Sequence, residues 1–129
     1  MRKTILLFFI VLIGSCSKKD NTPPTIILKT GVGYISADVV LPPSTTFIVG
    51  VDAHSGASDL DIVYLEVAYD GANTARLVER LYTNSSQKSH YERDMTITTR
   101  SSPGTERWLF NVNDVDGRIS KQEIRVTVQ

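Results

Sequence analysis

The 129-residue chain has little of several residue types, and each shortage excludes a class of protein. It contains one cysteine, so it forms no internal disulfide and no zinc site built on several cysteines. Its 14 basic side chains balance its 14 acidic ones, and without a positive field we expect no nucleic-acid partner. No apolar run reaches the length of a transmembrane helix. The size and composition predict one small globular domain.

The first fifteen residues have the layout of a secretory signal peptide. Arg2 and Lys3 precede an apolar run over 5–13 and a small pair, Gly14 and Ser15. As a helix this run covers only about 14 Å, against about 30 Å of bilayer hydrocarbon. We therefore expect residues 1–15 to be cleaved, which leaves a mildly acidic mature chain.

The sequence Ile13-Gly14-Ser15-Cys16 resembles the lipobox of bacterial lipoproteins, in a relaxed, Bacteroidetes-like form. The resemblance implies that Cys16 is acylated and becomes the first residue of the mature chain. Ser17 at the next position implies the outer rather than the inner membrane. Residues 16–24 are polar and end in two prolines, so they predict a lipidated tether. The alternative is an ordinary cleaved signal followed by a free cysteine.

Residues 25–129 predict an all-β domain, because apolar and polar residues alternate between turns rich in Gly, Pro, Asn, Asp and Ser. The expected strands cover 25–29, 34–41, 45–53, 60–69, 75–82, 91–100 and two further segments around 108–112 and 123–128. The first two lie beside prolines, so we expect them at sheet edges. Residues 75–82 also fit a short helix, and we interpret them as a strand. About seven strands at this spacing predict a two-sheet sandwich.

Four segments resemble bacterial immunoglobulin-like, cadherin-like or fibronectin-III-like modules: Pro23–Ile26, Val51–Gly56, Leu60–Val67 and Trp108–Gly117. The resemblance implies a single immunoglobulin-like antiparallel β-sandwich over 25–129. It implies no particular function, because such sandwiches support many unrelated roles.

The chain lacks the usual sequence signatures of catalysis. It has no nucleophile elbow, phosphate-binding loop or zinc-protease spacing, so we expect that it is not an enzyme. His54 and His90 are far apart in the sequence and have no partner at ligand spacing, so we interpret them as ordinary loop or strand-edge residues.

Two acidic loops offer a candidate calcium site. In a sandwich of this order, loops 54–59 and 113–118 fall at the same end. Hard oxygen ligands for calcium would come from Asp52, Asp59, Asp114 and Asp116. The Asp-x-Asp-Gly sequence is also what a tight hairpin needs, and we favour this structural interpretation.

Three tyrosines offer a candidate ligand-binding surface. Tyr64 is predicted to point outward on a central strand, and Tyr82 and Tyr91 flank the polar loop 83–89. Their rings are candidates for stacking on a sugar, whereas Trp108 is predicted to point into the core.

We therefore expect a lipid-anchored protein of the cell envelope, in the outer membrane, whose domain is a non-catalytic binding or accessory module. The alternatives are a surface glycan-binding protein, a calcium-dependent adhesion module and a structural subunit of an envelope complex. The first strand should start at the end with the acidic loops, so the tether would hold that end near the membrane. Segments 41–44, 70–73, 101–104 and the C-terminus would face a partner or ligand.

Overall fold

The computed structural model describes residues 18–129, which form an all-β fold of two packed sheets. The predicted signal peptide, residues 1–15, and the predicted lipidation site, Cys16, lie outside the described residues. Within 18–129, no helix combines the length and apolar character that crossing a bilayer requires.

Eight strands follow one another along the described chain, against about seven expected. They are β1 (Thr25–Leu28), β2 (Val39–Leu41), β3 (Thr46–His54), β4 (Leu60–Tyr69), β5 (Arg76–Tyr82), β6 (His90–Thr98), β7 (Gly104–Asp114) and β8 (Ile119–Val128). A short 3-10 helix, Ser85–Gln87, lies between β5 and β6. The ambiguous segment 75–82 is therefore a strand, as interpreted from the sequence.

The strands form a small sheet in the order β1-β3-β6 and a large sheet in the order β2-β8-β7-β4-β5. Neighbouring strands are antiparallel, except that β2 is parallel to β8. β1 is thus an edge strand of the small sheet, and β2 is an edge strand of the large sheet. This confirms the edge positions expected from the prolines. The strand predicted over 34–41 is shortened to Val39–Leu41, because the chain before it crosses from one sheet to the other. Ile35 still donates its backbone N–H to Ile48 in the small sheet.

The core lies between the two sheets and is built by the alternation that the sequence displays. Phe47, Val49, Val51 and Ala53 alternate inward on β3, as do Val63, Leu65 and Val67 on β4. Tyr91, Met95 and Ile97 on β6 and Ile124, Val126 and Val128 on β8 are also buried, whereas Ile119 at the start of β8 is exposed. The buried residues on the inner faces include Phe47, Val49, Val51, Ala53, Val63, Leu65, Val67, Met95, Ile97, Trp108, Phe110, Val112, Ile124, Val126 and Val128. The inward orientation predicted for Trp108 is confirmed.

The sandwich has two ends, which we name by where the described chain enters. At the entry end, Thr22 O accepts a hydrogen bond from the Ala57 backbone N–H, and the β3–β4 loop meets the β7–β8 turn through Val115 N–H and Asp59 O. At the far end lie segment 42–44, the β4–β5 and β6–β7 turns and the C-terminus; here Ser44 N–H donates to Arg100 O. The expected grouping of the loops is confirmed.

Candidate functional site

The predicted acidic loops meet at the entry end, where Arg118 pairs with Asp114 and Asp116. Its Nε lies 2.7 Å from Asp114 Oδ2, and its Nη2 lies 3.1 Å from Asp116 Oδ2. Asp114 Oδ1 accepts the backbone N–H groups of Asp116 and Arg118 at 3.0 and 2.9 Å. Burial opposes ionisation of Asp114, but the hydrogen bonds from Arg118 outweigh it and lower the pKa of this carboxyl group. The two aspartates therefore brace the β7–β8 turn.

The four candidate calcium ligands are not gathered around one point. Asp114 and Asp116 bind Arg118, and the exposed Asp59 lies in the β3–β4 loop. Asp52 lies on β3, with its side chain on the outer face of the small sheet next to two histidines. This arrangement supports the structural interpretation of the Asp-x-Asp-Gly turn.

The three predicted tyrosines occupy different environments. Tyr64 and Tyr82 share the outer face of the large sheet, since Tyr64 pairs with Arg80 and Ile62 pairs with Tyr82 across β4 and β5. Tyr82 is 66% exposed, and partial burial raises the pKa of the Tyr64 phenol. Tyr91 is a correction to the predicted surface. It alternates inward on β6, is only 4% exposed, and packs in the core instead of flanking a surface loop.

A cluster that the sequence did not suggest lies on the outer face of the small sheet. The antiparallel register of β3 and β6 sets His54 directly opposite His90, and Asp52 precedes His54 by two residues on the same face. Asp52 Oδ1 lies 3.0 Å from His54 Nε2 and 2.8 Å from His90 Nε2. The two imidazole rings stack with centroids 4.4 Å apart and planes 7° apart. We call these three residues the histidine–aspartate trio.

The next positions on the same face form an ion-pair cluster. Lys29 contacts Glu92 at 2.5 Å and Asp94 at 3.0 Å, and Tyr34 donates its hydroxyl to Asp94 at 3.0 Å. Glu92 and then Asp94 raise the pKa of Lys29, and Lys29 and then Tyr34 lower the pKa of Asp94. Gly50 makes this possible, because a Cβ at position 50 would overlap the Lys29 side chain where it crosses β3. The Lys29 ammonium group thus pairs with Glu92 and Asp94 next to the trio, and not with Asp52.

A polar depression of about 320 Å³ opens at the far end, on the outer face of the large sheet. Arg107 on β7 and Arg125 on β8 stand directly opposite each other and both line it. Its other lining residues are small or uncharged: Ala68, Gly71, Ala72, Asn73 and Thr105. Within residues 18–129, neither guanidinium is among the ion pairs, and Arg107 donates only a long bond of 3.3 Å to Ala72 O. We call this depression the arginine groove.

Sequence comparisons identify no family or relative for this chain. A scan against protein-family models finds no match to the chain, and a search of curated proteins finds no matching sequence.

Proposed function

We propose that this protein is a non-catalytic binding module, held in the cell envelope by a lipid on Cys16 and presenting its far end to an anionic ligand. The observation that carries the proposal is the position of the arginine groove, at the end opposite the one where the chain enters the sandwich. A module tethered at one end keeps the other end accessible.

The anchoring part of the proposal rests on the resemblance of residues 1–16 to a lipoprotein signal and on the path of the chain that follows. Thr22 binds Ala57, and the Pro24 carbonyl accepts the Ser120 hydroxyl at 2.5 Å. Five residues, 17–21, then separate Cys16 from the docked Thr22, and this stretch reaches at most about 22 Å. The entry end would therefore lie close to the lipid surface.

We also propose that the two-sheet fold is an immunoglobulin-like sandwich, and the strand order supports this. The first two strands divide between the sheets, and β2 adds to the large sheet in parallel with the last strand. Sandwiches of this kind place their loops at two opposite ends, where binding surfaces evolve without disturbing the core.

The electrostatics of the groove indicate an anionic ligand. Like charges directly opposite each other on a sheet are destabilising, and Arg107 and Arg125 face each other in register. A carboxylate, sulfate or phosphate group between the two guanidinium groups would relieve this repulsion and accept charge-assisted hydrogen bonds. The small residues on the groove floor leave room for such a group.

The test compares acidic and neutral polymers on the full-length protein in detergent. We expect polygalacturonate or dextran sulfate to bind and neutral dextran not to bind, with affinity falling as salt rises. Arg107→Gln or Arg125→Gln should weaken binding about tenfold or more, the value of one charge-assisted hydrogen bond. Arg80→Gln is the matched control, because it removes one positive charge from the same face outside the groove. An equal loss in all three variants would contradict the proposal.

A second candidate function is glycan recognition, and the placement of Tyr64 and Tyr82 on the same outer face favours it. A polysaccharide chain lying along the large sheet would contact both rings before reaching the arginine groove. Tyr64→Ala and Tyr82→Ala should then weaken binding to polygalacturonate, whereas Tyr34→Ala on the other sheet should not. Binding that needs the arginines but not the tyrosines would rule out this second function and leave the anion site standing.

A further inference from the structure

The histidine–aspartate trio has the geometry of a ligand set, independently of the proposed anchoring and of the arginine groove. Its three candidate ligand atoms, one from each side chain, all lie within 4.8 Å of one another. Among residues 18–129, the trio is the one group of three or more His, Cys, Asp or Glu side chains whose ligand atoms lie this close together.

The backbone holds the three side chains together. Nine consecutive residue pairs, from Thr46 with Thr98 to His54 with His90, join β3 to β6. Because the ladder fixes which residues face each other, His54 and His90 meet without help from a flexible loop. The ladder therefore holds the three residues next to one another on the same sheet face before any ion binds.

The donor set selects the class of ion. Two imidazole nitrogens and one carboxylate oxygen suit Zn²⁺ and Cu²⁺, which accept nitrogen ligands. Calcium needs six to eight oxygen ligands, and the trio offers a single carboxylate. Three protein ligands also leave at least one coordination position of a tetrahedral ion open to water or a further ligand.

The two rings must move slightly to bind one ion. Their lone pairs lie in ring planes that are now nearly parallel, so both Nε2 atoms reach one ion only if the rings tilt apart. The His54 and His90 side chains are 47% and 48% exposed, so both rings can tilt toward solvent without displacing core atoms. Asp52 Oδ1 already contacts both Nε2 atoms, so the three ligand atoms lie next to one another.

We propose that Asp52, His54 and His90 form a surface binding site for one Zn²⁺ or Cu²⁺ ion, on the outer face of the small sheet near the entry end.

The test titrates Zn²⁺ alone into metal-free, full-length protein in detergent, purified with a tag that contains no histidine. We expect one Zn²⁺ per chain by isothermal titration calorimetry and a higher melting temperature when Zn²⁺ is in excess. The chain has only two histidines, so the ring C–H signals of both should shift together in proton NMR spectra. His54→Gln and His90→Gln should each weaken Zn²⁺ binding at least about tenfold, and Asp52→Asn should weaken it by a similar factor.

Asp94→Asn is the matched control for Asp52→Asn. It removes the same charge from the same sheet face, but Asp94 is held by Lys29 and Tyr34 outside the trio. Thermal melting without metal checks that each variant is folded. Absence of saturable Zn²⁺ binding, or binding that survives His90→Gln unchanged, would overturn the proposal. Equal losses in Asp52→Asn and Asp94→Asn would also overturn it, since they would reveal adventitious attraction to surface charge only.

Discussion

At the scale of single residues, buried polar groups at the two ends hold the sandwich together. Glu106 has no exposed surface, although it lies on the inner face of β7. Its carboxyl oxygens accept hydrogen bonds from Arg100 N–H at 2.7 Å and from Trp108 Nε1 at 2.8 Å. A buried acceptor that satisfies two buried donors is costly to remove, because both donors then lose their partner.

Glu106→Leu should therefore lower the free energy of unfolding by about 3 kcal/mol. Trp108 is the only tryptophan, so its fluorescence during urea unfolding measures the loss directly. Glu123→Leu, at an exposed position of β8, is the control and should change stability by no more than about 0.5 kcal/mol. Equal stabilities of Glu106→Leu and the parent protein would show that the carboxyl group is not required.

Asp114 makes the stability of the entry end sensitive to acid. Its pKa is lower in the folded state than the ordinary value of 3.8, so its contribution is complete above that value and is lost as pH falls through the lowered pKa. We expect the urea midpoint to decrease between about pH 4 and pH 2, more in the parent than in Asp114→Asn. An Asp114→Asn variant with the same loss over this range would contradict the assignment.

Residue-level chemistry was the part that the sequence predicted least. The sequence does not show that His54 and His90 are neighbours, because only the β3–β6 register brings them together and no local spacing encodes that register. Tyr91 was expected at the surface because it follows a polar loop, yet its position in the alternation of β6 buries it. The pairing of Arg107 with Arg125 is also invisible in the sequence, because it depends on the register between β7 and β8.

At the scale of strands and loops, the alternation of side chains predicted most of the fold. The long strands β3, β4 and β8 each have one mainly buried face, and such strands leave a clear period in the sequence. β5 was ambiguous because it is an exposed edge strand, and its pairing with β4 shifts between Leu65 and Glu66. A shifted register mixes the two faces, so Leu77 and Val78 also fit a helix.

The β3–β4 loop holds the entering chain, and Gly56 is the position that permits it. A Cβ at this position would overlap the carbonyl oxygens of Thr22 and Pro23. Gly56→Ala should displace the chain and break the hydrogen bond from Ala57 N–H to Thr22 O. Hydrogen exchange of the Ala57 amide should become at least about tenfold faster, whereas Ser55→Ala should leave it unchanged. Unchanged protection in Gly56→Ala would show that the entering chain is not docked there.

At the scale of the whole molecule, the two ends of the sandwich have different chemistry. At the entry end, Arg118 pairs with both turn aspartates, and the docked chain covers part of the surface. The far end carries the facing pair Arg107 and Arg125. The proposed function assigns the membrane anchor to the entry end and the anionic ligand to the far end.

The measurement that tests this arrangement most directly is energy transfer between the protein and a membrane. Processed full-length protein carrying Val115→Cys or Asn73→Cys would be labelled with a thiol-reactive donor and reconstituted into vesicles with acceptor-labelled lipid headgroups. Val115 lies in the β7–β8 turn at the entry end and Asn73 in the β4–β5 turn at the far end, and both are exposed.

We expect stronger energy transfer from position 115 than from position 73, because the proposed tether would hold the entry end near the lipid. The parent protein should take up no label, since its one thiol, Cys16, would carry the lipid. Equal or stronger transfer from position 73, or labelling of Cys16 in the parent, would contradict an N-terminally anchored module with a free far end.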